Sequence, residues 1–140
     1  MIEGRSFSRE VALKLLYQAQ IKGLVPHDWT TFFDFSDMET RTQKWATDLA
    51  GSVWQHREEL DACLVQYSID WELDRIAKID RAIMWMAFFE LIYTKTDPPV
   101  IINEAIELSK RFSSDESPRY INGILGKYVE KECSQELSKD

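Results

Sequence analysis

The apolar residues of the chain are densest between Ile76 and Tyr93. Every residue from Ala82 to Phe89 is apolar, and Glu90 is the only charged residue between Ala82 and Tyr93. A helix that is apolar on all sides offers no face to water, so this pattern predicts a helix buried at the centre of a core. The run is too short to cross a bilayer, because a spanning helix takes about 20 apolar residues.

Two segments that precede this central helix show apolar residues at helical spacing. The first comprises residues 6–22. The second opens with SDME at residues 36–39, which has the spacing of a capping box, and its period continues to residue 67. The aromatic stretch 26–35 between them predicts one or two helical turns.

Two more helices are predicted after the central one. Pro98 and Pro99 stop the central helix, because proline disfavours a helical residue before it and suits the first turn of the next helix. That next helix ends near Phe112. After a polar link, Ser117 is the predicted N-cap of the last helix, with Pro118 at its first position. The whole pattern therefore predicts an all-α fold.

Asn122 and Gly123 stand out within the last helix. Asn-Gly is the strongest short hairpin-turn signal, and glycine in a helix interior costs about 1 kcal/mol relative to alanine. We expect a neighbouring backbone to approach Gly123 closely, with Asn122 bonding at that contact or facing a ligand.

The length of 140 residues suits one domain, which we place at residues 1–133, followed by a frayed tail at residues 134–140. Residues 1–8 carry charges and no apolar core, so they do not resemble a signal peptide. Cys63 and Cys133 have no CxxC spacing and no histidine cluster nearby, so neither a zinc site nor a disulfide framework is indicated. A cytoplasmic location is the corresponding expectation.

The net charge of −7 argues against broad, unspecific binding to nucleic acid, so any RNA-binding surface has to be a local patch. No catalytic or metal-binding set is apparent. His27 and His56 have no second ligand or acid–base partner nearby, and no nucleophile accompanies the carboxylates of Asp74 and Asp80. We therefore expect neither an enzyme nor a cofactor.

Three segments of the chain form a set. They are REVALKLLY at residues 9–17, the central segment from IDRAI to FEL at residues 79–91, and VIINEAIEL at residues 100–108 followed by RYINGIL at residues 119–125. In this order and spacing they resemble the NusB family of transcription antitermination factors. The resemblance implies a compact bundle of about seven helices, in two halves around the buried central helix.

The resemblance also implies a function. NusB proteins bind the boxA element of nascent ribosomal RNA leaders together with NusE, a small-subunit ribosomal protein. The complex joins the elongating RNA polymerase and suppresses premature termination, without making or breaking a bond and without a membrane. Some relatives form a homodimer, so a homodimer of this chain stays an open alternative.

The residues expected to bind RNA and NusE are those at positions that match the family's motifs. The expected RNA-binding residues are Arg5, Arg9, Tyr17, Asp80, Glu116, Arg119 and Tyr120. The expected NusE-binding residues are Tyr17, Asp74 and Asp80. Arginines neutralise phosphate, an aromatic ring stacks on an unpaired base, and carboxylates accept from base amines. We expect Arg9, Arg119 and Tyr120 to share one surface, called here the predicted RNA corner.

The chain departs from the family pattern at several positions. Ser6 and Ser8 stand where the family often has arginines, and Glu3 precedes them. Trp85 stands where an arginine is usual, and Gly126 replaces a common aspartate. Each lost phosphate contact lowers RNA affinity and its salt dependence, so we expect weak binding without NusE. IEGR at residues 2–5 also matches an engineered protease site. We interpret it as natural, because Arg5 matches the arginine-rich N-terminal arm that the family resemblance implies.

Two other classes of protein remain as alternatives. The first is a helical protein–protein adaptor that kept the fold and lost RNA recognition, which the acidic charge favours. The second is a fragment of a ribosomal RNA cytosine methyltransferase, some of which begin with a NusB-like domain. The chain contains no glycine-rich cofactor loop and no catalytic cysteine motif, which disfavours the methyltransferase.

Overall fold

The computed structural model describes residues 4–68 and 73–138. The predictions for Glu3, for the side chains of Asp74 and Cys133, and for residues 139–140 lie outside the described residues. Within the described ranges there is no β-strand, and six α-helices are present. These are α1 (Arg5–Lys22), α2 (Thr40–Gln55), α3 (Arg57–Tyr67), α4 (Lys78–Tyr93), α5 (Pro98–Phe112) and α6 (Ser117–Ser138). The all-α prediction is confirmed, with six helices rather than about seven.

The chain divides into two compact units, Met1–Arg57 and Glu58–Asp140. The first unit contains α1 and α2 and ends at Arg57, the first residue of α3, and the second contains the rest of α3 and α4 to α6. The sequence-based boundary of a single domain at residue 133 stays a prediction, although the α6 backbone remains helical to Ser138. None of the helices in the described part of the chain is long and apolar enough to span a membrane.

In the first unit, α1 packs against α2. The two helices bury apolar residues at helical spacing: Val11, Ala12, Leu15, Leu16 and Ala19 from α1, and Ala46, Leu49, Ala50 and Val53 from α2. α1 ends at Gly23, whose φ of 77° lies in the left-handed region and whose N–H donates to the Ala19 carbonyl at 2.7 Å. Glycine suits this position because it has no Cβ to clash.

The predicted capping box at residues 36–39 is wrong, because α2 begins at Thr40 and its N-cap is Glu39, three residues after the predicted cap Ser36. A local turn takes its place. Asp34 Oδ1 accepts the Ser36 N–H at 3.0 Å, and the Met38 N–H donates to the Phe35 carbonyl at 3.0 Å. Short polar side chains compete with helix formation in this way. Upstream, the predicted turn in the aromatic stretch is confirmed as a 3-10 turn at Trp29–Thr31.

In the second unit, α4 is the most enclosed helix. Its residues from Ala82 to Phe88 are all buried, and α4 packs against both α5 and α6. α5 contributes Ile101, Ala105 and Leu108, and α6 contributes Ile121, Ile124 and Leu125. The prediction of a buried α4 is therefore confirmed.

The expected close approach at Gly123 is wrong. Asn122 and Gly123 are both exposed, and a Cβ at Gly123 would meet no described atom within 4 Å. The reason is the orientation of α6, which directs Ile121, Ile124 and Leu125 inward and leaves the Asn-Gly pair on the outer face. No contact within the described chain accounts for the glycine.

Candidate nucleic-acid interface

Asp80, in the first turn of α4, joins that helix to the link before α6. The residue is 8% exposed, and its carboxylate accepts the Ser113 hydroxyl at 2.6 Å and the Ser117 hydroxyl at 2.8 Å. Ser114 Oγ lies 2.9 Å from Ser117 Oγ, which extends the network. Hydrogen bonds to a carboxylate are about twice as strong as neutral ones, so Asp80 fixes the start of α6.

This network changes two sequence-based expectations. α6 begins at Ser117 itself, and the Ser117 hydroxyl donates to Asp80 across the fold instead of capping its own helix. Asp80 is nearly enclosed, whereas the sequence placed it at the surface among partner contacts. Its first role is thus to hold the α6 start, and its contact with RNA or NusE stays a prediction.

A cavity of about 200 Å³ lies beside the Asp80 network, entirely within the second unit. We call it the α4–α6 cavity. Its lining includes the apolar residues Ile76 and Ala77 and the cation Arg75. Three side chains that are predicted to bind RNA also line it: Asp80, Glu116 and Tyr120. Serine hydroxyls from the link complete it. An apolar, aromatic and charged lining of this kind suits a planar, polar-edged group.

Tyr120 is half-buried in the lining of the α4–α6 cavity. Its hydroxyl lies 3.0 Å from Ser68 Oγ, which holds the far end of the ring. Burial, with a smaller contribution from the charge of Asp80, raises the pKa of the Tyr120 hydroxyl. The ring therefore stays neutral at ordinary pH and is fixed in position before any ligand enters.

Glu116 and Arg119 are exposed at the start of α6. Arg75 is exposed at the end of the 3-10 turn Leu73–Arg75, and sequence reasoning did not select it. The sequence did offer a signal for Arg75. It directly follows Asp74, which the family resemblance had already placed at the site. The backbone at Asp74 is described, but its side chain is not.

In the first unit, Arg5 and Arg9 both lie close to the indole of Trp45. Arg5 Cζ is 4.7 Å and Arg9 Cζ is 5.4 Å from the centroid of the Trp45 ring. Arg5 is exposed, but Arg9 is only 5% exposed. Arg9 is therefore nearly enclosed, and its predicted contact with RNA stays a prediction.

Tyr17 lies further along α1 and is 37% exposed. Ile21 and Leu24 follow it at four and seven residues, with exposures of 51% and 54%. We call these three residues the α1 stripe. Tyr17 and Ile21 share one face of α1, and Leu24 follows the Gly23 C-cap. Large exposed apolar side chains close together in the chain are typical of a protein-binding surface.

The structure thus brings some predicted residues together. Asp80, Glu116 and Tyr120 line one cavity in the second unit, and Arg5 and Arg9 meet at Trp45 in the first. The predicted RNA corner includes residues of both units and stays a prediction. Among the described residues, no group of three or more histidines, cysteines or carboxylates could hold a metal ion.

Comparison with protein families gives one family model, described as the NusB family, which matches residues 6–130. A transcription antitermination protein NusB from Alkaliphilus oremlandii is 40% identical over 134 residues, covering 91% of this chain and 94% of the relative. The NusB protein of Acetivibrio thermocellus is 38% identical over 128 residues, covering 90% of this chain and 88% of the relative.

Comparison with solved structures gives the same fold. NusB from T. maritima superposes with a TM-score of 0.79 at 25% identity and covers 91% of each chain. A chain from a complex of the antitermination factors NusB and NusE with dsRNA has a TM-score of 0.76 at 20% identity. It covers 91% of this chain and 96% of its own length. At that identity the second likeness shows the fold alone.

Proposed function

Because this chain belongs to the NusB family, we propose that it acts as a transcription antitermination factor that binds boxA-type single-stranded RNA together with NusE. The family contains transcription factors rather than enzymes, so binding alone has to account for the activity. The proposal places the complex on elongating RNA polymerase in the cytoplasm, at the leaders of ribosomal RNA operons. A homodimer is a separate prediction, which sedimentation of the purified protein checks.

The α4–α6 cavity is the observation that carries this proposal. Its volume of about 200 Å³ is below the roughly 300–1,000 Å³ of pockets for drug-sized ligands, so a smaller planar group such as one base suits it. Sequence-specific RNA recognition uses unstacked bases that lie against aromatic rings. Tyr120 supplies the ring, and Ser68 holds its hydroxyl at 3.0 Å.

The carboxylates of the cavity favour a base with an exocyclic amine. Asp80 already accepts from Ser113 and Ser117, but an ionised carboxylate has about four acceptor sites, so acceptor capacity remains. Glu116 is exposed at the cavity and accepts without donating. A base amine can satisfy either carboxylate, whereas a carbonyl edge repels both.

Three exposed arginines are the candidates for neutralising phosphate. Arg75 and Arg119 are exposed in the second unit and Arg5 in the first, on a chain with a net charge of −7. Three phosphate contacts on single-stranded RNA give a slope of log affinity against log salt of about −2. We therefore expect a shallow slope and weak binding by the protein alone, with a partner that supplies further positive charge.

The α1 stripe supports a protein partner on the first unit. Tyr17 is both the predicted NusE contact and the first residue of the stripe, and Ile21 and Leu24 extend its apolar surface. We place NusE on this stripe. Replacement of Ile21 by Asp adds a charge to the middle of the stripe and is expected to abolish capture of NusE, while RNA binding by the protein alone is retained.

Tyr120 gives the sharpest test of RNA binding. The experiment is a fluorescence-anisotropy titration of labelled boxA-type RNA and a scrambled RNA with the protein–NusE complex. Tyr120→Ala removes the ring, and loss of base stacking of about 1–3 kcal/mol weakens boxA binding by roughly 5- to 150-fold. Tyr120→Phe keeps the ring, loses the contact with Ser68 and stays close to wild type. Equal binding by wild type and Tyr120→Ala would favour the adaptor function instead.

A further inference from the structure

The start of α1 carries several unfavourable interactions. Gly4 is the N-cap residue and makes no side-chain cap, and the first turn contains no acidic residue. Arg5 places a positive charge at the positive end of the helix dipole, and Arg9 lies four residues later on the same face. Like charges at this spacing destabilise a helix by about 0.2–0.5 kcal/mol.

Trp45 of α2 offsets these costs. Both guanidinium groups lie within the roughly 6 Å over which a cation is attracted to an aromatic ring, at 4.7 Å for Arg5 and 5.4 Å for Arg9. Tryptophan is the best ring for this interaction, which contributes about 0.5–2 kcal/mol per cation. The attraction to one indole therefore exceeds the repulsion between the two arginines.

We propose that Trp45 is a positioning residue for RNA binding, which holds the Arg5 guanidinium in place for a phosphate. Arg9, at 5% exposure, mainly packs at the indole, whereas the exposed Arg5 makes the phosphate contact. A side chain that is already immobilised loses less entropy on binding. This inference rests on the proposed function and adds a residue that no family motif supplied.

A double-mutant cycle separates this role from a merely structural one. The four proteins are wild type, Trp45→Leu, Arg5→Ala and the double variant, each titrated with boxA-type RNA in the presence of NusE. Trp45→Leu is expected to weaken binding about threefold to tenfold in the wild-type background, because Arg5 is released. In the Arg5→Ala background the same change is expected to alter binding less than about twofold, since no phosphate contact remains to be positioned.

Trp54 provides a matched control within α2. Its ring also stacks with an arginine, since Arg57 Cζ lies 4.2 Å from the ring centroid, but neither residue belongs to the stack at Trp45. Trp54→Leu is expected to leave RNA affinity within about twofold of wild type. A second readout needs no RNA. The ring current of Trp45 shifts the side-chain resonances of Arg5 in NMR spectra, and Trp45→Leu is expected to abolish this shift.

Three outcomes would overturn the inference: Trp45→Leu binds like wild type, it weakens binding equally in both backgrounds, or Trp54→Leu has the same effect. Should Trp45→Leu unfold the protein, the cycle is repeated with Trp45→Phe, for which a smaller, non-additive effect is expected. If the wild-type complex itself shows no preference for boxA-type over scrambled RNA, the proposed function fails first. If that preference is present and the cycle is additive, only the positioning role fails.

Discussion

Trp85 of α4 donates its indole N–H to Asp61 of α3 at 2.7 Å. The same carboxylate accepts Arg81 Nε at 3.0 Å and Arg81 Nη2 at 2.7 Å, so one acidic side chain ties two residues of α4, through three N–H groups, to α3. Trp85 is 2% exposed. The indole therefore supplies a buried donor where the family usually has an arginine, and this departure has a structural explanation.

The Asp61 contact predicts a large effect on stability. Asp61→Ala breaks the two charge-assisted bonds to Arg81 and leaves the buried Trp85 N–H without this acceptor. The side chains of Arg81 and Asp61 are 26% and 18% exposed, so we discount the ion pair for solvent and expect a loss of about 2–3 kcal/mol in urea unfolding.

The control is Asp48→Ala, which removes an ion pair of the same 2.7 Å length to Lys44, with side chains 74% and 63% exposed. An exposed pair contributes little, so this loss is expected to stay below about 0.5 kcal/mol. Similar losses for the two variants would mean that the Asp61 network does not stabilise the second unit as described.

Ser117 predicts a link between the α6 start and RNA binding. Ser117→Ala removes the 2.8 Å bond to Asp80 and is expected to lower stability by about 1 kcal/mol. RNA affinity of the NusE complex should fall with it, because Glu116 and Tyr120 flank Ser117 in the cavity. Anisotropy titration checks the affinity. An unchanged affinity in a destabilised variant would separate the network from the RNA site.

Replacement by arginine should have different effects at Ser6 and at Ser8. Ser6 is exposed in the first turn of α1, whereas Ser8 is 1% exposed. Ser6→Arg should raise RNA affinity and steepen the salt slope by about 0.7, because it adds one phosphate contact. Ser8→Arg should lower the melting temperature, since it buries a cation. Salt-dependent titrations and thermal melts check both, and a Ser6→Arg slope equal to wild type would refute the first.

Tyr128 predicts a loss of stability at high pH. It packs against Tyr67 and Phe88 with ring centroids 5.5 and 5.3 Å apart, and burial raises its pKa from 10.0 to about 12. Since the folded state keeps this proton at higher pH than the unfolded chain does, the contribution is complete below pH 10 and is lost between pH 10 and about 12. Urea midpoints across that window should decline less for Tyr128→Phe. Equal declines of the urea midpoint for wild type and Tyr128→Phe would mean that ionisation of Tyr128 does not cause the loss of stability.

Much of the fold could be predicted from the sequence because its signals are local. The apolar run in α4, the prolines before α5 and the glycine after α1 each specify an element without reference to distant residues. The start of α2 could not be predicted from the sequence, because the turn at Asp34 and Ser36 competes with the helix signal at residues 36–39.

The candidate site was less predictable because it depends on tertiary contacts. The family resemblance supplied Glu116, Arg119 and Tyr120, but no pattern indicated that Asp80 would be enclosed by the serines of the α5–α6 link. The contact of Arg5 with Trp45 joins residues 40 positions apart in sequence, so no helical period reveals it. The outward orientation of Gly123 likewise follows from how α6 packs.

The central claim is that an unpaired RNA base enters the α4–α6 cavity. The most direct test is ultraviolet crosslinking of unmodified boxA-type RNA to the complex with NusE, followed by mass spectrometry that identifies the attached peptide and the attached nucleotide. The account predicts a crosslink at Tyr120 from one RNA position, lost with scrambled RNA. Crosslinks confined to other surfaces of the chain, with none at Tyr120 or its neighbours in the cavity lining, would contradict it.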